Sequence, residues 1–304
     1  MPFFSKKRKT GGEPSKNPAK NFRTEDKEST QETRDRDKKL QLFIRALALR
    51  FMDYLTLTLG CSIGLAAGVL AGLFGIGGAL LTTPAMRCLL GVPGLIALGT
   101  PLPIVIPTAL SGGLVYYGRK SLRLRIALIC GASGSLSALL GAWITDPLGG
   151  EAMMYITSGF IFLIALRFAF GKEKKVKSAG EKVQALPQLI LIGLVGGFLS
   201  GFLGVGGGVI LVPLFVILLG LEMHEAIGTS LAAISIYAIP GSIEHYLLGH
   251  IDLGLLIPIA AGCIVGAQLG ARFAMLTKER KLKIGFAVFL VAVALYLSIY
   301  EYLA

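Results

Sequence analysis

A chain of 304 residues with 54% hydrophobic and 16% charged residues, and a mean hydropathy of +0.70, is too apolar for a water-soluble enzyme. The net charge of +12 is unevenly placed, since residues 1–50 hold fourteen Lys or Arg against seven acids. Cys61, Cys88, Cys130 and Cys263 lie in apolar runs without CxxC spacing, which argues against metal or redox roles.

In chain order, residues 1–40 are mixed-charge and nearly without apolar side chains, so they predict a disordered basic tail. They contain no apolar core of a cleavable signal peptide, and Lys6, Lys7, Arg8 and Lys9 suit cytoplasmic retention and contact with anionic lipid better than nucleic acid. The first transmembrane repeat spans 41–171. It opens on an amphipathic stretch at 40–50 and continues with apolar segments at 51–73, 79–90, 94–117, 124–145 and 153–170. A lysine-rich cytoplasmic linker follows at 172–185. The second repeat, 186–304, has apolar segments at 186–203, 209–219, 226–248, 251–275 and 282–302.

The two repeats are related by an offset of 129: Gly64, Gly68, Gly72, Gly75, Gly77, Gly78, Pro84 and Gly91 have partners at Gly193, Gly197, Gly201, Gly204, Gly206, Gly207, Pro213 and Gly220. Each copy carries a dense glycine run, GLFGIGG at 72–78 and GFLGVGGG at 201–208. Such a run breaks a helix and lets it restart before the proline. The fold class expected is an all-α integral membrane protein of two homologous four-span halves, each with a glycine-broken first helix. Counting each broken helix as one net crossing puts the Arg119 loop and the 172–185 linker in the cytoplasm, makes the halves parallel, and leaves the basic loop 277–283 outside against the positive-inside rule.

A restarting helix offers unpaired N–H groups and the positive end of its dipole, which suits an anion. Nucleotide binding is disfavoured, because no strand precedes either glycine loop and no Lys follows in P-loop register. Gly193 to Pro213, its copy Gly64 to Pro84, and the run Ala226-Ile227-Gly228-Thr229-Ser230 resemble the sulfite exporter TauE/SafE family over about residues 50–304. The resemblance implies inner-membrane export of small sulfur-containing anions such as sulfite or organosulfonates.

The expected substrate-binding residues are Gly75, Gly77, Gly78 and Thr100 in the first half, and Gly204, Gly206, Gly207, Gly208, Thr229 and Ser230 in the second. Pro101 stands where the second half has Ser230, so the second break is expected to supply more donors. Glu244 and His245 are candidates for a proton relay, against the plainer reading of a solvated interface pair. Pro84, Pro213 and the four-residue ladder Gly262, Gly266, Gly270 are assigned structural roles. Glu222, His224 and Glu225 read as an exposed acidic turn.

With three histidines, no HExxH, and no nucleotide loop, neither an enzyme nor a primary pump is expected, and no cofactor or metal. The favoured function is a secondary transporter working by alternating access. The alternatives are an anion channel, or a scaffold whose basic tail binds partners. Partners are then a small anion and membrane lipid but not nucleic acid, with homo-oligomerisation left open. The predicted location is the cell inner membrane, multi-pass, with the N-terminus cytoplasmic.

Overall fold

The computed structural model describes residues 56–170, 185–204 and 206–303, and all of its regular structure is helical. The N-terminal tail, the amphipathic stretch at 40–50 and most of the 172–185 linker lie outside the described residues. The helices are α1 Thr56–Phe74, α2 Ala79–Leu89, α3 Gly94–Gly99, α4 Pro101–Gly118, α5 Leu124–Leu148, α6 Gly150–Phe170, α7 Leu186–Leu203, α8 Gly208–Leu218, α9 Met223–Leu247, α10 Leu253–Leu276 and α11 Glu279–Leu303. Among the described residues six helices are long and apolar enough to cross a membrane: α1, the α3–α4 pair, α5, α7, α9 and α10. Large apolar side chains also cover the outside of the bundle, among them Leu136, Leu247, Phe273 and Leu276, as a lipid-facing surface requires.

The glycine ladders decide which helices touch. A Cβ at Gly64, Gly68 or Gly72 of α1 would strike the carbonyl oxygens of Ile259, Cys263 and Ala267 on α10. A Cβ at Gly193, Gly197 or Gly201 of α7 would strike those of Cys130, Gly134 and Ala138 on α5. From the opposite direction Gly262, Gly266 and Gly270 abut Cys61, Leu65 and Val69, while Gly141 abuts Phe198 and the Ser137 hydroxyl donates to the Leu194 carbonyl at 2.8 Å. Each of these contacts in the α5–α7 seam has a counterpart 129 residues away in the α1–α10 seam. Residue numbers rise together along both seams, so the paired helices are parallel. Small residues bring the backbones close enough for this contact, the favoured mode of helix association where no hydrophobic force acts between helices.

The central pair, α4 and α9, is antiparallel. Gly241 lies against Leu102, Gly112 against Leu231, and Gly228 against Tyr116.

The path after each break corrects the expected topology. The Gln188 side chain at the start of α7 donates to the Leu218 carbonyl at the end of α8, 3.4 Å away. Gly207 and Leu211 both lie against Gly196. The chain therefore turns back after Gly204–Gly207, and α7–α8 is a hairpin rather than one broken crossing. In the first half, Gly60 near the start of α1 lies against Pro258, at the end of the bundle that holds the start of α10. After α2 the chain is at that same end, where Gly94 meets Gly150 and Gly99 meets His250. Length and hydropathy could not reveal this, because an 11-residue helix continues or returns with equal ease; the left-handed glycine torsions decide.

Two hairpins that each return to their own side also rearrange the loops. Arg123 pairs with Glu225 at 2.8 Å, its backbone N–H donates to the Thr229 hydroxyl at 3.0 Å, and the Met223 N–H donates to Glu279 at 3.0 Å. The Arg119–Arg125 loop and the 277–283 loop thus share one end of the bundle, not opposite sides. His224 and Glu225, expected as an exposed turn, help to stitch that end together, since His224 Nε2 lies 3.1 Å from the Ala274 carbonyl oxygen. The opposite end carries Asp146, His250 and Asp252. The Asp252 carboxylate caps α10 by accepting from the N–H groups of Gly254 and Leu255 at 2.8 and 3.2 Å.

Candidate functional site: two facing helix breaks

Three glycines in each break have positive φ, at +74°, +79° and +93° for Gly75, Gly77 and Gly78, and at +62°, +79° and +65° for Gly204, Gly206 and Gly207. Any side chain there would be strained, which explains the glycine spacing. The hairpin tips meet inside the bundle. Gly208 lies against the Gly75 carbonyl and Ile76, and a Cβ on Gly206 would lie 3.2 Å from the Ile76 carbonyl oxygen and 3.4 Å from Ala79. Buried Val105 of α4 and Ile234 of α9 flank the junction, with a Cβ on Gly77 falling 2.9 Å from Val105 and 3.4 Å from Ile234.

Gly78 and Gly207 are the N-caps of α2 and α8, and neither start has a side-chain cap. Two positive helix ends therefore approach each other in an apolar environment, where a hydrogen bond to a charged group is strongest. The arrangement suits a small anion held by backbone N–H groups. The breaks are in contact here, so admitting a ligand between them requires the hairpins to separate. Pro84 and Pro213 lie buried at the middle of the two short helices.

The hydroxyl residues occupy places that the sequence did not indicate. The Ser230 hydroxyl lies 2.9 Å from both the Gly75 carbonyl and the Ile227 carbonyl of its own helix, and shares its one proton between them. It serves the first break, not the second. Thr100 and Thr229 sit beside the starts of α10 and α5: the Thr100 hydroxyl accepts from the Asp252 N–H at 3.0 Å, as Thr229 does from Arg123. Those hydroxyls hold loops, while Leu98 closes against Gly204.

Tyr116 and His245, 129 residues apart, hold the arms of the two hairpins. The Tyr116 hydroxyl donates to the Gly72 carbonyl at 2.9 Å, and His245 Nε2 lies 3.1 Å from the Gly201 carbonyl oxygen. The acidic partner expected for His245 was Glu244, but Glu244 is only half-buried, and the neighbour of His245 is instead His250, Nδ1 to Nδ1 at 3.2 Å. His250 Nε2 in turn lies 3.1 Å from Asp146 Oδ1 on α5. Adjacent residues on a helix point about 100° apart, so Glu244 and His245 diverge. Tyr237, absent from the candidates, directs its hydroxyl at the Gly206 carbonyl over 3.4 Å; a phenol within an apolar span was the available signal.

A bundle of apolar helices in which two glycine-broken hairpins pack against each other is compatible with the broken-helix sites of membrane transporters. The chain belongs to the family described as Sulfite exporter TauE/SafE, whose model matches residues 60–297. It is similar to the probable membrane transporter protein YdhB of Bacillus subtilis, 29% identical over 71% of this chain and 89% of the relative. YunE of the same organism, also a probable membrane transporter protein, is 28% identical over 69% and 85% of the two chains. A probable membrane transporter protein of Methanocaldococcus jannaschii is 24% identical over 78% and 94%. No solved structure matches. The chain is thus a multi-pass membrane transporter and not an enzyme.

Proposed function

We propose that the protein is a secondary transporter that exports a small sulfur-containing anion, of the sulfite or organosulfonate class, across the cytoplasmic membrane by alternating access. The observation that carries this reading is that the two uncapped helix starts, after Gly78 and Gly207, are buried with each break packed against the other, Gly206 against Ile76 and Ala79 and Gly208 against Gly75. The substrate occupies the junction of Gly75–Gly78 with Gly204–Gly208, and Ser230 and Tyr237 hold the carbonyls behind it. Separation of the hairpin tips toward one end and then the other provides alternating access.

The matched seams 129 residues apart support reading the chain as two homologous halves. Each half is then a hairpin whose first helix, α1 or α7, turns back without a net crossing, followed by three passes: α3–α4, α5 and α6 in the first half and α9, α10 and α11 in the second. An odd number of passes makes the halves inverted, related by an axis in the membrane plane. The basic end, with Arg119, Lys120, Arg123, Arg125, Lys278, Arg280, Lys281 and Lys283, faces the cytoplasm under the positive-inside rule, and the exception expected at 277–283 disappears. Thr56 then starts α1 at the far end.

The test is flux of labelled sulfite, thiosulfate, an alkylsulfonate and chloride in proteoliposomes, comparing wild type with Gly206→Leu. A saturable flux of one sulfur anion, reduced at least tenfold by the substitution, is expected. Normal flux in the variant removes the site, and non-saturating flux of every anion favours a channel.

A further inference from the structure

The chain Gly201–His245–His250–Asp146 has a hydrogen-bond arithmetic of its own. A carbonyl oxygen only accepts, so His245 must carry hydrogen on Nε2 to bond Gly201. A neutral His245 then presents a bare Nδ1, and the contact to His250 requires hydrogen on His250 Nδ1. A neutral His250 would in turn present a bare Nε2 to the Asp146 carboxylate, two acceptors 3.1 Å apart. All three contacts are hydrogen bonds only when one further proton resides between His250 and Asp146.

We propose that Asp146, His250 and His245 form a proton-binding clasp that locks the α7–α8 hairpin at the acidic end of the bundle. Asp146, with 51% of its side chain exposed, admits the proton from solution, while His250 is 6% exposed and His245 is fully buried. With the proton bound, α5 and the α9–α10 turn are tied through His245 to the last turn of α7. With the proton lost to solution, the carboxylate and the bare nitrogen repel, and the hairpin arm is free to move. The position equivalent to His245 in the other half is Tyr116, whose hydroxyl bond to Gly72 involves no titration near neutral pH, so proton control acts at one end only.

The surroundings leave the clasp to these three groups among the described residues. From α7 the bonded group is the Gly201 carbonyl, with the neutral, buried Ser200 hydroxyl on the adjacent residue, and the α3–α4 junction offers Gly99 and the Thr100 hydroxyl, which is 3.5 Å from the His250 carbonyl oxygen. Asp252 is committed to the N-cap of α10, Glu244 is half-buried on α9, and Arg87 near the end of α2 donates to the Val92 carbonyl at 3.3 Å.

What the clasp gates rests on the transporter reading, but the clasp itself is tested without transport. Thermal unfolding of the full chain in detergent is followed between about pH 5 and 8, the range in which histidine titrates. A proton held by the folded state stabilises at low pH and its contribution is lost as pH rises, so the wild-type Tm falls, by about 2–4 °C for each tenfold-scale loss in the folding constant. In Asp146→Asn the side-chain amide donates to the bare His250 Nε2 and closes the same contact without a proton. Its Tm is therefore expected to stay flat where the wild type falls. A wild-type slope retained in Asp146→Asn overturns the proposal.

A second readout needs no variant. With three histidines in the chain, ¹⁵N shifts of histidine-labelled protein at low pH are assignable. Hydrogen on both His250 nitrogens and on His245 Nε2 is expected, and hydrogen on His245 Nδ1 alone overturns the clasp. In proteoliposomes, sulfite flux should vary with pH at the acidic end for wild type and not for Asp146→Asn. Absence of sulfite flux in both, with the Tm difference present, rejects the substrate reading and leaves the clasp standing.

Discussion

The two hairpins share a backbone and differ in what fastens them. Positive-φ glycines, a proline-bearing short helix and a glycine seam occur in both, at positions 129 apart. The first hairpin is held by neutral hydroxyls, Tyr116 on Gly72 and Ser230 on Gly75. The second is held by Tyr237 on Gly206 and by an imidazole, His245 on Gly201. The backbone geometry is thus common to both hairpins, while the groups that fasten it differ, three neutral hydroxyls and one imidazole.

That comparison can be broken most forcefully at the seams, where the hairpins should behave alike. Gly68→Leu and Gly197→Leu would each drive a Cβ into backbone atoms of Cys263 and Gly134. Because backbone cannot step aside, each is expected to cost about 3 kcal/mol or more and to abolish folded protein, read as loss of the monodisperse peak in detergent. Folding of one variant but not the other would mean that the seams are not equivalent.

Gly77→Ala and Gly206→Ala probe the tips more gently. Both residues have φ of +79°, so each substitution should cost about 1–2 kcal/mol in Tm-derived stability. Gly77→Ala should lie at the upper end, since its Cβ would fall 2.9 Å from Val105, against 3.2 Å for Gly206.

The fastening bonds should rank below these. Tyr116→Phe and Ser230→Ala each remove a 2.9 Å hydrogen bond to a buried carbonyl and should cost about 1 kcal/mol, whereas Tyr237→Phe, with its contact at 3.4 Å, should cost less. A larger loss for Tyr237→Phe would reverse the assignment of the weaker bond to the second break. The smallest effect is expected from Glu225→Gln. Its partner Arg123 is largely exposed, so the loss should be under about 1 kcal/mol and should vanish in high salt.

Much of the architecture was legible in the chain. Apolar runs marked the spans, and the glycine runs marked both breaks to within a residue, because only glycine adopts those torsions without strain. The four-residue ladder at Gly262, Gly266 and Gly270 announced a packing face, although not its partner, since a ladder states how close a neighbour comes and not which helix that neighbour is. The candidate glycines of the two breaks lie together, whereas Thr100, Thr229 and Ser230 bond to other parts of the chain than their place in the sequence suggests. Ser230 lies only two residues beyond Gly228 in a run that reads as part of the second half, yet α9 crosses the bundle and delivers its hydroxyl to the first break.

Read alone, the chain announced that the protein lives in a membrane, that its apolar segments contain two helix breaks, and that matching glycines and prolines recur at an offset of 129. Those properties depend on hydropathy and on local torsions, which are written residue by residue. Tertiary structure alone decided that each break reverses the chain, that both basic loops share one end, and that His245 faces His250 and Asp146 rather than its neighbour Glu244. Each of these depends on groups far apart in sequence, and the packing of parallel seams and antiparallel central helices is what brings them together.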